Sequence, residues 1–297
     1  MAFPSPSQVQ QILLRASTLE GPELDVSGCN LQGDSAAFVL ADTILANRFF
    51  SFVKMNFDRT SMPSRAFDSI INAATENRKL SEFSARDNGL SCEAGYALSR
   101  LLLSSGSLTA LDVSMNTLGD EGVAAIGGAF ATNFVDMPSS TSRFCIFSIR
   151  VIDLSSNGIT DMGVLALCKG LHQVVRDSRL VGRTFSLKAL RLGGNKISDK
   201  GAAHISQILA LQKPDDDLFF LQELSLNDNF LGPQGILSIL RGCVSRPLSL
   251  LRLGRNLFNL PLLDELATLC ASGKAPSALE LHFDERSSSA LLGCHSQ

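Results

Sequence analysis

One short pattern recurs along this chain and limits its possible folds more than any other feature. The pattern spans eight positions, with apolar residues at the first, third and eighth and asparagine at the sixth. The clearest copies contain Asn116, Asn157, Asn195, Asn229 and Asn256. Weaker copies upstream keep the same frame, and a final half-copy begins at Leu279. Because a single unit of this kind cannot bury its apolar face alone, the pattern predicts a stack of repeats.

Each position of the pattern has a physical role. Two apolar side chains spaced by two residues lie on one face of a short strand, and strands of successive repeats can pair in parallel. The asparagine stands where the chain leaves the strand, so its amide can satisfy backbone groups that the turn leaves unpaired. Thr60 and Cys29 occupy this position in two N-terminal copies. We therefore expect the N-terminal repeats to be less regular.

The second half of each repeat is predicted to be helical. Asp120, Asp161 and Asp199 stand where an N-cap carboxylate belongs. Four residues after the last apolar position, nearly every copy has a small residue that we expect to let the helix approach the strand closely. These small residues are Ser35, Ala66, Ala94, Gly122, Gly163, Gly201 and Gly235. Leu262 departs from this rule in the last full repeat, as terminal repeats often do.

With these residues the chain resembles the ribonuclease-inhibitor-like subfamily of leucine-rich repeats, most closely over residues 108–241. The resemblance implies an α/β leucine-rich-repeat solenoid, a right-handed horseshoe with parallel strands on the concave face and helices on the convex face. We expect an N-terminal helical cap over residues 1–20, eight repeats over 21–278, and a capping half-repeat and tail over 279–297.

Three consecutive repeats are longer than the others. The interval from Leu111 to Ile152 is 41 residues, and the next two are 38 and 34, against 28 from Phe83 to Leu111. We place the extra residues between a helix and the next strand, at 133–149, 173–186 and 213–219. Insertions at one point of a repeat map to one edge of the solenoid, so they predict a lip there.

The three insertions differ in chemistry. The first is rich in serine and threonine and then apolar at Phe144 and Phe147, whereas the third is acidic over residues 215–217. The second is basic, with Arg176, Arg179 and Arg183. The lip is either a partner-binding surface or a set of longer helices and solvated loops, and both readings stay open.

The residues between and after the apolar strand positions point into the horseshoe. The N-terminal and middle strands are predominantly acidic there, and the later ones carry arginines. Gly193 and Gly254 are expected to leave open space in which these arginines grip an acidic protein segment bidentately. The alternative is a solvated polar face without a dedicated ligand. The candidate binding residues of this face are Asp153, Arg191, Asn227, Arg252 and Arg255.

Composition argues against several classes of function. The net charge of -3 and the pI near 5.8 give no attraction to nucleic acid or an anionic membrane. No apolar run approaches the roughly 18 residues that span a bilayer. Seven cysteines at irregular spacing favour neither a disulfide framework nor a zinc site, so we expect a reduced, cytoplasmic protein, with cytoskeletal or nuclear association left open.

The function expected from the sequence is an interaction scaffold for a protein partner. Sequence signatures of a phosphate-binding loop or a nucleophile elbow are absent, so we expect no enzyme activity, cofactor, metal or small-molecule substrate. One alternative is a GTPase-activating regulator that resembles the Ran GTPase-activating proteins, with Arg59, Arg86 or Arg255 as the loop arginine. Another is a structural subunit of a cytoskeletal or ciliary assembly, in which a neighbour buries residues 144–147.

Overall fold

The computed structural model describes residues 23–32, 38–42, 52–132, 148–181, 185, 187–212, 221–246, 248–257, 268 and 278–280. The side chains of residues 179–181 and 278–280 are not among the described parts. The predicted N-terminal cap, Phe144, Phe147, Arg183 and Leu262 lie outside these ranges. A short helical segment covers residues 38–42.

Nine strands of three residues form one parallel sheet in the described ranges, and their order in the sheet is their order in the chain. They are β1 (Glu23–Asp25), β2 (Lys54–Asn56), β3 (Glu82–Ser84), β4 (Ala110–Asp112), β5 (Val151–Asp153), β6 (Ala189–Arg191), β7 (Glu223–Ser225), β8 (Leu250–Arg252) and β9 (Ala278–Glu280). Equal pattern positions pair throughout, so Leu111 lies beside Ile152 and Ile152 beside Leu190 despite the longer repeats. This confirms the predicted α/β solenoid.

Six helices of ten or more residues occupy the second halves of the described repeats. They are α1 (Ser64–Thr75), α2 (Cys92–Ser104), α3 (Gly119–Ala131), α4 (Asp161–Val181), α5 (Asp199–Leu209) and α6 (Pro233–Gly242). The placement of the second insertion was wrong in part, because α4 continues through most of the segment expected to connect helix and strand. None of the described helices is long and apolar enough to span a bilayer.

The core runs without a break between the sheet and the helices. The apolar strand residues are buried, and so are the inner faces of the helices. Phenylalanines fill the N-terminal part, where the rings of Phe57 and Phe67 lie 5.7 and 6.2 Å from that of Phe83. Phe130 and Phe185 form a further edge-to-face pair at 5.8 Å. Each repeat shares its apolar side chains with both neighbours, so the apolar residues of one repeat are buried by the repeats on either side.

The pattern asparagines form the expected ladder between repeats. Oδ1 of Asn195 accepts hydrogen bonds from the backbone N–H groups of Asn157 (2.9 Å) and Ile159 (3.1 Å) in the preceding repeat. Its Nδ2 donates to the carbonyl oxygens of Leu154 (3.1 Å) and Leu192 (2.9 Å). The other asparagines of this position repeat this arrangement. The predicted role of the asparagine is confirmed.

The aspartates at the helix starts have a different role from the one predicted. Asp161 does not cap its own helix; its Oδ1 accepts the backbone N–H of Ser198 (2.8 Å) and of Gly201 (2.9 Å), at the start of α5 in the next repeat. Asp120 and Asp199 likewise reach forward, to the N–H of Thr160 (2.7 Å) and Gly232 (2.6 Å). Each of these aspartates therefore caps the helix that follows in the stack.

This forward capping contributes to the need for glycine at positions 163, 201 and 235, where the aspartate of the preceding repeat lies close. A Cβ at Gly201 or Gly163 would lie 2.6 Å from the carboxylate oxygen of Asp161 or Asp120. Glycine is needed where the preceding repeat supplies an aspartate. In the seventh repeat Pro233 replaces that aspartate, and in the following repeat Leu262 replaces the glycine.

Acid should weaken the capping contact of Asp161. Burial of this carboxylate opposes its ionisation, but hydrogen bonds from Ser198 and Gly201 outweigh burial and lower its pKa. A lowered pKa in the folded state stabilises the fold above the unfolded value of about 3.9, and this contribution is lost as the pH falls below it. Asp161→Asn should therefore cost about 1 kcal/mol at neutral pH, with the difference from wild type shrinking below about pH 4.

The measurement is urea unfolding of both proteins across this pH range. Glu76→Gln, which neutralises an exposed carboxylate after α1, serves as the control and should change little at any pH. If the difference in free energy of unfolding between wild type and Asp161→Asn stayed constant down to acid pH, the inference that ionised Asp161 caps α5 would be contradicted.

Candidate functional site

A groove of about 330 Å³ lies on the concave face, over the N-terminal five strands and the edge of β6. Its floor is the backbone of the strands, whose apolar side chains are buried on the opposite face of the sheet, and its walls are the polar residues that alternate with them. The alternation follows from strand geometry, since successive side chains point to opposite faces of the sheet. Carboxylates dominate among the groove's charged residues, which are Glu23, Asp25, Lys54, Glu82, Asp112, Asp153 and Arg191.

Three of these carboxylates occupy the same position in their repeats and are held in the same way. Oδ1 of Asp25, Asp112 and Asp153 each accepts the backbone N–H of the residue two positions later, at 2.9 Å in all three cases. Such a local bond fixes the side chain near the end of its strand. In the described part of the chain, Oδ2 of Asp25 and Asp112 makes no hydrogen bond or ion pair, so it remains available to a ligand.

The groove's lysine is already engaged by its neighbours. The ammonium of Lys54 lies 3.6 Å from Glu23 and 3.3 Å from Glu82, across strands β1 to β3. The hydrogen bond to Glu82 and the attraction of both carboxylates raise the pKa of Lys54. One ammonium cannot balance the five carboxylates of the groove.

The arginines Arg191 and Arg252 also find their partners within the chain. Nε and Nη2 of Arg191 donate to the two carboxylate oxygens of Glu223, at 3.0 and 3.3 Å, and Nη1 of Arg252 lies 2.6 Å from Oε1 of Glu223. Asp153 adds a longer contact to Arg191, at 3.8 Å. The bidentate grip predicted for an acidic partner segment is thus made to Glu223 of the chain itself.

The pKa values of this cluster agree with its geometry. Burial opposes ionisation of Glu223, but the hydrogen bonds and charges of Arg191 and Arg252 outweigh it and lower the pKa of Glu223. The hydrogen bond to Glu223 in turn raises the pKa of Arg191. The cluster is therefore ionised at neutral pH, and its positive charge is compensated locally.

The open space expected beside Gly193 is not present. A Cβ at Gly193 would lie 2.7 Å from Oδ1 of Asn227, whose side chain covers that position. Nδ2 of Asn227 donates to Asp228 at 2.6 Å, and Nη1 of Arg255 contacts the same carboxylate at 3.0 Å. Glycine at 193 accommodates a neighbouring strand's side chain, so the prediction of a gap for a ligand was wrong here.

The remaining sequence candidates are dispersed. Arg176 is exposed on the outer helix α4, and Arg179 belongs to the same helix, with a side chain outside the described parts. Of the arginines considered for a GTPase regulator, Arg86 lies against the sulfur of Met115, at 3.0 Å from Nη2. Arg59 is exposed at a turn with a positive φ of 54°. The structure does not bring these candidates together into one site.

Sequence reasoning missed the position immediately before the first apolar residue of each strand. Glu23, Lys54, Glu82 and Glu223 all stand there, and they form the ion pairs that set the charge of the concave face. The other five strands have an apolar residue at this position, namely Ala110, Val151, Ala189, Leu250 and Ala278, so the repeats show no recurring charge there.

Comparison with known proteins adds the family context. A family model described as Leucine Rich repeat matches residues 105–127, 146–168 and 185–206. The mouse (Mus musculus) NACHT, LRR and PYD domains-containing protein 12 is 24% identical over 240 residues, which cover 75% of this chain and 21% of that protein. The pig (Sus scrofa) ribonuclease inhibitor is 28% identical over 161 residues, covering 49% of this chain and 31% of the inhibitor.

The chain thus spans less than a third of the length of these two relatives. A tropomodulin C-terminal domain from Caenorhabditis elegans structural genomics superposes with a TM-score of 0.42 and 16% identity, over 58% of this chain and 90% of that domain. The repeat pattern, the parallel sheet and the matches to the repeat family and to ribonuclease inhibitor agree. The chain contains leucine-rich repeats and is similar to proteins of the ribonuclease-inhibitor-like subfamily.

Proposed function

We propose that this chain is a protein-interaction scaffold that holds a basic segment of a partner along the N-terminal half of its concave face. The repeats supply an extended curved surface, which is the form that solenoids offer to protein partners. The observation that carries the proposal is the uneven charge of the groove. Its cations are paired internally, whereas Asp25 and Asp112 keep a carboxylate oxygen available.

The spacing of the carboxylates suits an extended segment. Asp25 is on β1 and Asp112 on β4, and neighbouring strands lie about 4.8 Å apart, so the two are separated by roughly 14 Å. An extended chain covers that distance in about four residues. Lysine or arginine side chains on such a segment could reach both carboxylates, with Asp153 one strand further on. The partner's charge is therefore opposite to the one predicted from the sequence.

The test is binding of a fluorescent arginine-rich peptide, followed by anisotropy at low and moderate salt. Asp25→Asn combined with Asp112→Asn should weaken binding on the order of tenfold, because each removed charge is worth up to about 1 kcal/mol. Asparagine keeps the oxygen that accepts the local backbone N–H, so thermal stability should stay unchanged. Binding of the wild-type protein should weaken as salt rises.

Glu93→Gln provides the matched control, because it removes one exposed carboxylate from the outer helix α2. It should bind the peptide as the wild type does. Equal affinity of the double variant and the wild type would reject the concave groove as the binding surface.

A further inference from the structure

A second groove of about 330 Å³ lies between the outer helices α4 and α5, away from the concave face. Its polar walls consist of Lys169, His172 and Gln173 from α4, and His204 and Gln207 from α5. The α4 wall follows from helical spacing, since Lys169 stands three residues before His172 and four before Gln173. The proposed function does not use this groove.

The lining of the groove contains basic and neutral polar groups. Its walls carry an ammonium, two imidazoles and two amides, and none of its lining residues is a carboxylate. Cys168 also lines the groove, and burial raises the pKa of its thiol to about 12, so the sulfur is uncharged at neutral pH. The groove therefore offers hydrogen-bond donors and positive charge without a negative group of its own.

The same charge continues along both helices. Arg176 is exposed one turn beyond His172 on α4, and Lys200 is exposed one turn before His204 on α5. Two nearby carboxylates already have partners within the chain. Asp177 is buried and accepts a hydrogen bond from Nε2 of Gln173 at 2.9 Å, and Asp161 caps the start of α5.

We propose that this groove docks an acidic segment of a protein partner, whose aspartate or glutamate side chains are received by Lys169, His172 and His204. Charge complementarity decides the choice of occupant, because within the described part of the chain no carboxylate forms an ion pair with these three residues. The lining has no phenyl, phenol or indole ring on which nucleic-acid bases could stack. An acidic protein segment fits these walls better than a single-stranded nucleic acid does.

The decisive experiment titrates a fluorescent glutamate-rich peptide with the full chain. Lys169→Glu should weaken its binding on the order of tenfold or more, because the change removes an attraction and adds a repulsion. The neutral variant His172→Gln should weaken it less. Both positions are exposed, so both variants are expected to fold, and their thermal unfolding verifies this.

Two controls make the result specific. Lys79→Glu introduces the same charge change at an exposed site after α1 and should leave binding unchanged. The concave-face variant Asp112→Asn should also leave it unchanged, so failure of this proposal can be distinguished from failure of the proposed function. Undiminished peptide binding by Lys169→Glu would overturn the proposal. Tighter binding of an oligothymidylate than of the acidic peptide would overturn it as well.

Discussion

Replacing Gly170 by alanine is expected to lower the free energy of unfolding by about 3 kcal/mol or more, although it adds a single methyl group. Gly170 lies on α4 where that helix crosses the backbone of α3. A Cβ at this position would overlap the carbonyl oxygen of Gly127 and lie 2.8 Å from its carbonyl carbon. Because both obstacles are backbone atoms, the clash can be relieved only by separating the two helices.

The neighbouring Gly128 gives a control of opposite sign. It lies in the same helix as Gly127, and a Cβ there would meet no atom within 4 Å. Gly128→Ala should stabilise the protein by about 0.5–1 kcal/mol, because alanine loses less backbone entropy in a helix. Urea unfolding followed by far-UV circular dichroism measures both variants. A Gly170→Ala protein as stable as the wild type would show that the helices are not held at backbone contact.

Asn195→Ala is expected to destabilise the protein by about 3–4 kcal/mol. The change leaves two buried backbone N–H groups, those of Asn157 and Ile159, without their acceptor. It also leaves the carbonyl oxygens of Leu154 and Leu192 without one donor each. An unpaired group inside the protein costs more than a hydrogen bond contributes, because water cannot replace the lost partner.

Threonine and a surface asparagine supply the comparisons for Asn195. Asn195→Thr should lie between wild type and alanine, since Thr60 occupies this position in the second repeat and donates to the carbonyl of Phe57 at 3.0 Å. Asn30→Ala removes an exposed asparagine that accepts the N–H of Gln32, and it should change stability little. Similar denaturation curves for Asn195→Ala and Asn30→Ala would contradict the ladder.

The sheet register and the asparagine ladder could be predicted because they depend on residues at equal positions of successive repeats. In a parallel stack, residues at equal positions of successive repeats become neighbours. A residue type that recurs at one position therefore indicates a contact between repeats, such as that between Asn157 and Asn195. The length of α4 could not be derived in the same way. An insertion that continues a helix and one that forms a loop begin with the same kind of residues.

The sequence also did not show which neighbouring repeat a charged side chain contacts. An aspartate at a helix start has the same local signature whether it caps its own helix or the next one, as Asp161 does. Glu223 forms ion pairs with two arginines, and these stand 32 and 29 residues away in the chain. Charge at the concave face is set by such cross-strand pairs, so our proposal of a basic partner rests on contacts that the sequence does not reveal.

The asparagine ladder and the forward caps of the aspartates run in opposite directions along the stack. Asn195 completes the backbone of the repeat before it, whereas Asp161 completes the helix of the repeat after it. A cut between these two repeats would leave unsatisfied groups on both new ends. Any shortened version of this protein therefore needs a polar cap redesigned for each exposed end.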